Sequence, residues 1–242
     1  YLNCLVLAQP VFEPHGVGVM FCLPNRTWLR SMINVSGTTS LDWCIDQLFA
    51  EEKNNARSTG ELFAHLEALA QQSRLGARGV LYLPYLSAQG ITAPLHEPAA
   101  RAEFSGLTLE HTRSDLLRAV YEGLALSIRD GYACIPAQID DIWLTGGTSR
   151  SAFFCQMVAD CTGKQVVLPA GSEFGAKGAA LLASVGSGWH ASLEEACAAV
   201  TTIAHTYDPD PVLRPAYDAL FADYTALREA LVPVWRARQR TE

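Results

Sequence analysis

The sequence has no uninterrupted apolar run approaching the roughly 20 residues of a membrane-spanning helix, so no membrane partner is expected. It has no excess of basic side chains: 18 Lys and Arg stand against 25 Asp and Glu, a formal net charge of −7. That balance argues against a nucleic-acid partner, whose backbone calls for a basic stripe. It leaves small phosphorylated ligands open, because helix N-termini and main-chain N–H groups bind phosphate without net positive charge. The 7 cysteines include no Cys-x-x-Cys pair and the 6 histidines no His-x-x-x-His, so no zinc site is expected. A chain of this size needs no disulfide staples, and reduced, mostly buried thiols in the cytoplasm are the expectation. There is no Gly-x-x-x-x-Gly-Lys-Ser/Thr loop, no Gly-x-Gly-x-x-Gly fingerprint, no Gly-x-Ser-x-Gly elbow and no deaminase signature, which pairs His-x-Glu with Pro-Cys-x-x-Cys. The start, Tyr1-Leu2-Asn3-Cys4, has neither Met nor the basic segment of a signal peptide. It opens inside a strand-like run, as expected of a chain cut from something longer.

What is present is a globular composition. Of 242 residues, 49% are hydrophobic and 18% charged, enough for a sizeable core. Leu2 to Ala8, Gly18 to Leu23 and Trp28 to Val35 read as three strands joined by Pro- and Gly-bearing turns, an antiparallel meander. Helical spacing begins at Leu41, with Thr38 or Thr39 as N-cap. A polar loop at Lys53 to Thr59 leads to a second helix from Gly60 to Gln72. Gly79 to Leu83 is a strand, and Pro84 to Leu109 reads as an irregular excursion. Ser114 to Ala133 is a helix presenting Leu117, Val120, Tyr121, Leu124 and Ile128 on one face. Strand–helix alternation follows: strands at Asp141 to Thr145 and Gln165 to Leu168, helices at Ser151 to Cys161, Gly175 to Val185 and Leu193 to Ala199. The last helix is capped by Ser192. A long helix from Leu213 to Arg236 closes the chain, with Pro233 kinking its end. Meander then β-α units predicts an α/β fold, a mixed sheet flanked by helices in the element order of a ribonuclease H-like, actin-like lobe.

Three turns invite a ligand. The sharpest is Ile142-Trp143-Leu144-Thr145-Gly146-Gly147-Thr148-Ser149-Arg150-Ser151. Two successive residues without Cβ let a ligand approach the backbone. Thr148 or Ser149 can cap the following helix, leaving first-turn N–H groups for an anion or a purine. The same logic applies to Ser36-Gly37-Thr38-Thr39-Ser40-Leu41-Asp42-Trp43, which equally suits a plain N-cap. In Pro169 to Ala180, Glu173 suits a ligand contact or, better, a helix N-terminus, and Gly175, Gly178 and Ala179 suit close helix packing. Asp140-Asp141 reads as a solvated strand edge, not a metal site.

Several segments, in order, resemble the C-terminal domain of the FGGY carbohydrate kinases. They are Tyr82-Leu83-Pro84-Tyr85-Leu86-Ser87, Ala100-Arg101-Ala102-Glu103-Phe104-Ser105-Gly106-Leu107-Thr108, Leu117-Arg118-Ala119-Val120-Tyr121-Glu122-Gly123, and the Gly146-Gly147 turn continuing to Gly178-Ala179-Ala180. The resemblance covers nearly the whole chain and implies that residues 1–242 form one nucleotide-binding domain of the actin-like ATPase fold. It implies ATP and Mg²⁺ as cofactors and a sugar or polyol as the small-molecule substrate, and is compatible with a homodimer. Carried over, Gly147 contacts the nucleotide, Gly146 shapes the turn, and Ser151 stands near adenine. Gly37, Thr38 and Asp42 also face the nucleotide, although the family has glycine where this chain has Thr38. The family's catalytic aspartate and Asp-x-Gly-Thr-type phosphate turn lie upstream, so no catalytic residue is assigned. Ala88-Gln89-Gly90 departs from the family's Gly-Glu-Arg. A non-catalytic actin-like nucleotide-binding module is the alternative.

Overall fold

The computed structural model describes residues 2–239. Three strands come first: β1 (Leu2–Leu7), β2 (Val19–Leu23) and β3 (Thr27–Ile33). They are antiparallel as expected but do not form a simple meander. β3 lies in the middle, pairing β2 through the tight Pro24–Arg26 turn and β1 along its other edge. The 8–18 connection, with Pro10 and Pro14, is too long and too broken for a hairpin, so β1 and β2 never meet.

Helix α1 (Gly37–Leu48) begins one to two residues before the expected cap. Ser36 is the N-cap, so Thr38 and Thr39 lie inside the first turn, where the Thr39 hydroxyl donates to Ser36 O at 2.9 Å. Its apolar stripe Leu41, Cys44 and Ile45 is buried. The polar stretch at Lys53 is helical rather than loop, closing α2 (Ala50–Asn55), whose first turn carries Glu51 and Glu52 where the helix dipole favours acids. Ser58 then caps α3 (Thr59–Ala70), its side chain accepting from Glu61 N. Strand β4 (Leu81–Leu83) pairs antiparallel with β5 (Glu103–Ser105), a strand inside the segment expected to be wholly irregular.

The organising element is α4 (Arg113–Ala133), against which α1, α3, β1, β3 and β4 pack. All five residues of its expected apolar face are buried. A capping box of Thr112 and Asp115 holds its start, and the Ser73 hydroxyl donates to Asp115 at 2.7 Å. Gly123 permits the close approach of β4: a Cβ there would stand 2.4 Å from Tyr82 O.

The second half of the chain supplies β6 (Asp141–Trp143), α5 (Ala152–Thr162), β7 (Gln165–Pro169), α6 (Phe174–Gly186), α7 (Leu193–Val200), β8 (Ile203–Tyr207) and α8 (Arg214–Gln239). β6 pairs parallel with β7, and β7 antiparallel with β8, a strand the sequence did not suggest. The strands fall into three small sheets instead of one, only the last of them mixed. α8 runs on through Pro233. It ties the fold together: Arg228 pairs with buried Asp130, Tyr224 shares a 3.0 Å hydroxyl contact with Tyr85, and Arg236 donates to Glu97 at 2.6 Å. No residue of α6 is buried, and a Cβ at Gly175 or Gly178 would meet nothing within 4 Å. The close packing expected of that small-residue run is not made among the described residues.

Candidate nucleotide-binding cleft

A cleft of about 590 Å³ opens where four segments converge on α4. It is lined by Thr38, Leu41 and Asp42 of α1, by Thr59, Gly60, Phe63, Ala64 and Glu67 of α3, and by Tyr121 and Leu124 of α4. Gly147, Thr148, Arg150, Ser151 and Phe154 complete it. Two of the three turns singled out in the sequence, about a hundred residues apart, therefore reach one space. Their residues divide. Thr38, Asp42, Gly147 and Ser151 line the cleft; Gly37 and Gly146 do not.

The division has a local cause at each turn. Gly37 is buried in the first turn of α1. Around it, Ser36 N donates to Asn34 Oδ1 at 3.0 Å, Ser87 N donates to Ser36 Oγ at 2.7 Å, and the Ser40 hydroxyl donates to Ser36 O at 2.9 Å. The turn is fixed from both sides, and Thr38 and Asp42 project one helical turn apart on the same face. Gly146 sits at φ +86°, ψ −163°, a backbone region open essentially to glycine alone. It redirects the chain leaving β6, and a single 3-10 turn over Gly147–Arg150 follows. The turn is pinned where Ser149 Oγ donates to Gly146 O at 2.7 Å and Ser151 N to Thr148 O at 3.2 Å. Gly147 has ordinary φ, and a Cβ built on it would meet no atom within 4 Å. Its missing side chain leaves the cleft wall open.

The capping expectation is corrected. Neither Thr148 nor Ser149 caps α5; Ser151 does, its Oγ accepting from Phe154 N at 3.0 Å. The intervening 3-10 turn consumes the two earlier candidates. Ser151 keeps its hydroxyl proton, so it can still donate to a ligand while capping. Glu173 is the N-cap residue of α6 in the left-handed region (φ +53°), but its side chain makes no cap hydrogen bond and it lies outside the cleft. Asp140 and Asp141 are exposed, as a solvated edge should be.

The floor of the cleft is apolar and aromatic. Tyr121 packs edge-on against Phe153 at 5.3 Å between ring centroids and lies 6.1 Å from Phe154. The Tyr121 hydroxyl is buried without a hydrogen-bond partner among the described residues. Burial pushes its pKa up, and the Glu67 carboxylate adds to the push. Burial also drives the Cys155 thiol under the Gly147–Arg150 turn up to about 11, which keeps it protonated at neutral pH. Among the described residues no group of three or more His, Cys, Asp or Glu could hold a metal ion. An apolar, aromatic cleft with a few polar groups and a backbone that can be approached closely suits a heterocycle with a polar tail. Sequence reading missed the contributions of Glu67, Phe63 and Arg150. Glu67 lies one turn beyond Phe63 on the largely apolar side of α3, and an acid in that position is the signal that could have been found.

The C-terminal-domain model of the FGGY family of carbohydrate kinases matches residues 3–187. Erythritol kinase of Brucella abortus is 31% identical over 239 residues, covering 94% of this chain and 45% of that protein. Xylulose kinase of Escherichia coli is 32% identical over 229 residues, covering 92% of this chain and 44% of that protein. The crystal structure of a ligand-bound xylulose kinase from Lactobacillus acidophilus superposes with a TM-score of 0.84 at 26% identity, over 97% of this chain and 46% of that one. The chain thus spans less than half the length of the curated relatives it matches. The α/β, actin-like ATPase fold expected from the element order is the fold of these structural neighbours. With its motifs, its fold and its relatives in agreement, the chain belongs to the FGGY family of carbohydrate kinases.

Proposed function

We propose that residues 1–242 form the nucleotide-binding domain of an ATP-dependent kinase that phosphorylates a hydroxyl of a sugar or polyol. The observation that carries this reading is the convergence of Thr38, Asp42, Gly147 and Ser151 on one cleft with an aromatic floor. In this proposal the adenine base lies against Phe63, Tyr121 and Phe154. The Gly147 backbone borders the nucleotide closely, with Gly146 and Gly37 holding their turns. Ser151 donates a hydrogen bond, and exposed Asp42 offers an acceptor to the ribose hydroxyls.

Phosphoryl transfer needs positioning and charge neutralisation more than covalent help. The sugar oxygen attacks the γ-phosphorus, the bond from that phosphorus to the β–γ bridging oxygen breaks, and ADP leaves. The hydroxyl proton passes to a general base that the family resemblance puts outside this chain. The cleft residues do not form a cage for Mg²⁺, which would travel with the nucleotide phosphates. Free thiols suit a cytoplasmic protein. A homodimer is compatible with this reading, and light scattering tests it.

The test is ATP consumption by the full-length protein against a panel of pentuloses, polyols and glycerol. Turnover with one of them is expected. ADP binding with no turnover on any would favour a non-catalytic nucleotide-binding module.

A further inference from the structure

Three charged side chains line the cleft: Asp42, Glu67 and Arg150. None makes a hydrogen bond or ion pair among the described residues. Asp42 and Arg150 are exposed, so water satisfies them. Glu67 is different. It is half-buried, and it shares the cleft with the aromatic side chains of Phe63, Tyr121 and Phe154. Glu67 stands one helical turn from Phe63 on α3, and both line the cleft.

A carboxylate is an acceptor only. One half-buried among aromatic side chains, with no donor from the described residues, is a poor choice for packing and a good one for recognition. We propose that Glu67 reads the base, accepting a hydrogen bond from the exocyclic amine of adenine. This rests on the nucleotide reading of the cleft. The aromatic floor binds any purine by area; the carboxylate adds discrimination, because a purine without that amine leaves Glu67 desolvated and unpaired. Glu67 is thus a specificity residue for the nucleotide, distinct from the Gly147 and Ser151 positions that carry the family resemblance.

The experiment is a cycle of protein variant against ligand. Dissociation constants are measured for the full-length protein with ADP and with purine riboside diphosphate, which lacks only the exocyclic amine. A hydrogen bond to a charged group predicts a preference of about tenfold or more for ADP in the wild type. Glu67→Ala brings the two ligands to near-equal affinity, by weakening ADP and not the analogue. Glu67→Gln keeps the side-chain shape and a neutral acceptor, and falls between; it carries the test if the alanine variant melts early. An unchanged ADP preference in Glu67→Ala, or no preference in the wild type, overturns the assignment of Glu67 while leaving the cleft as a nucleotide site. Absence of ADP binding to the wild type overturns the cleft reading itself.

Discussion

The two adjacent glycines of the Gly146-Gly147 turn do different work, and substituting them separately tests that. Gly146 sits at φ +86°, ψ −163°, where a Cβ is strained whatever space surrounds it. Forcing alanine there costs about 1–3 kcal/mol. For a chain of this size each kcal/mol lowers the melting temperature by about 2–4 °C. Gly146→Ala should therefore melt several degrees early, because the backbone must leave the conformation that joins β6 to the 3-10 turn. Gly147 has ordinary φ and open space where a Cβ would project. Gly147→Leu should leave the melting temperature nearly unchanged and put its side chain into the cleft of about 590 Å³. A base pushed off its seat forfeits at least one strong contact; a loss of ~1.4 kcal/mol is tenfold in affinity. The assay is thermal melting paired with ADP titration of each variant of the full-length protein. A Gly147→Leu protein that binds ADP as tightly as the wild type would refute the nucleotide contact. One that melts as early as Gly146→Ala would refute the claim that the second glycine is free of structural duty.

Further outcomes follow from the scaffold. Gly123→Ala drives a methyl group to within 2.4 Å of Tyr82 O, where α4 meets β4, so it should destabilise by about 1–3 kcal/mol in thermal or urea unfolding. Burial raises the Asp115 pKa, but hydrogen bonds from Ser73 and Thr112 outweigh it and hold the carboxyl below its ordinary value. A depressed carboxyl stabilises the fold above its unfolded pKa, and the contribution fades as pH falls through the folded value. Asp115→Asn should therefore cost about 1 kcal/mol at neutral pH, and the gap to wild type should close below about pH 4. Burial pushes the Cys44 and Cys161 thiols up to about 12, so a thiol reagent at neutral pH should label exposed Cys22 quickly and leave those two silent until the protein unfolds.

Much of this fold was legible because hydrophobic period and turn chemistry agreed. The α4 stripe from Leu117 to Ile128 could only be a buried helix face, and the Gly146-Gly147 turn sat between an apolar run and a helical one. The errors share a cause: they lie where a single residue's local preference competes with tertiary contacts. Ser36 takes the cap of α1 from Thr38 and Thr39, held there by Asn34 and Ser87. Ser151 takes that of α5 because the 3-10 turn shifts the helix start. β5 and β8 are short strands that exist only because β4 and β7 offer edges, which no local pattern announces. The ligand turns could be read one by one. That Thr38 and Gly147 share a cleft, with Glu67 also lining it, depends on how α1, α3 and α5 pack around α4.

The central claim is that the cleft between α1, α3 and the Gly147–Ser151 turn seats an adenine nucleotide. A crystal structure of the full-length protein with ADP tests it most directly. The account predicts the base on the floor of Phe63, Tyr121 and Phe154, with Gly147 against the nucleotide. ADP bound at any other surface, or an empty cleft at saturating ADP, would contradict it.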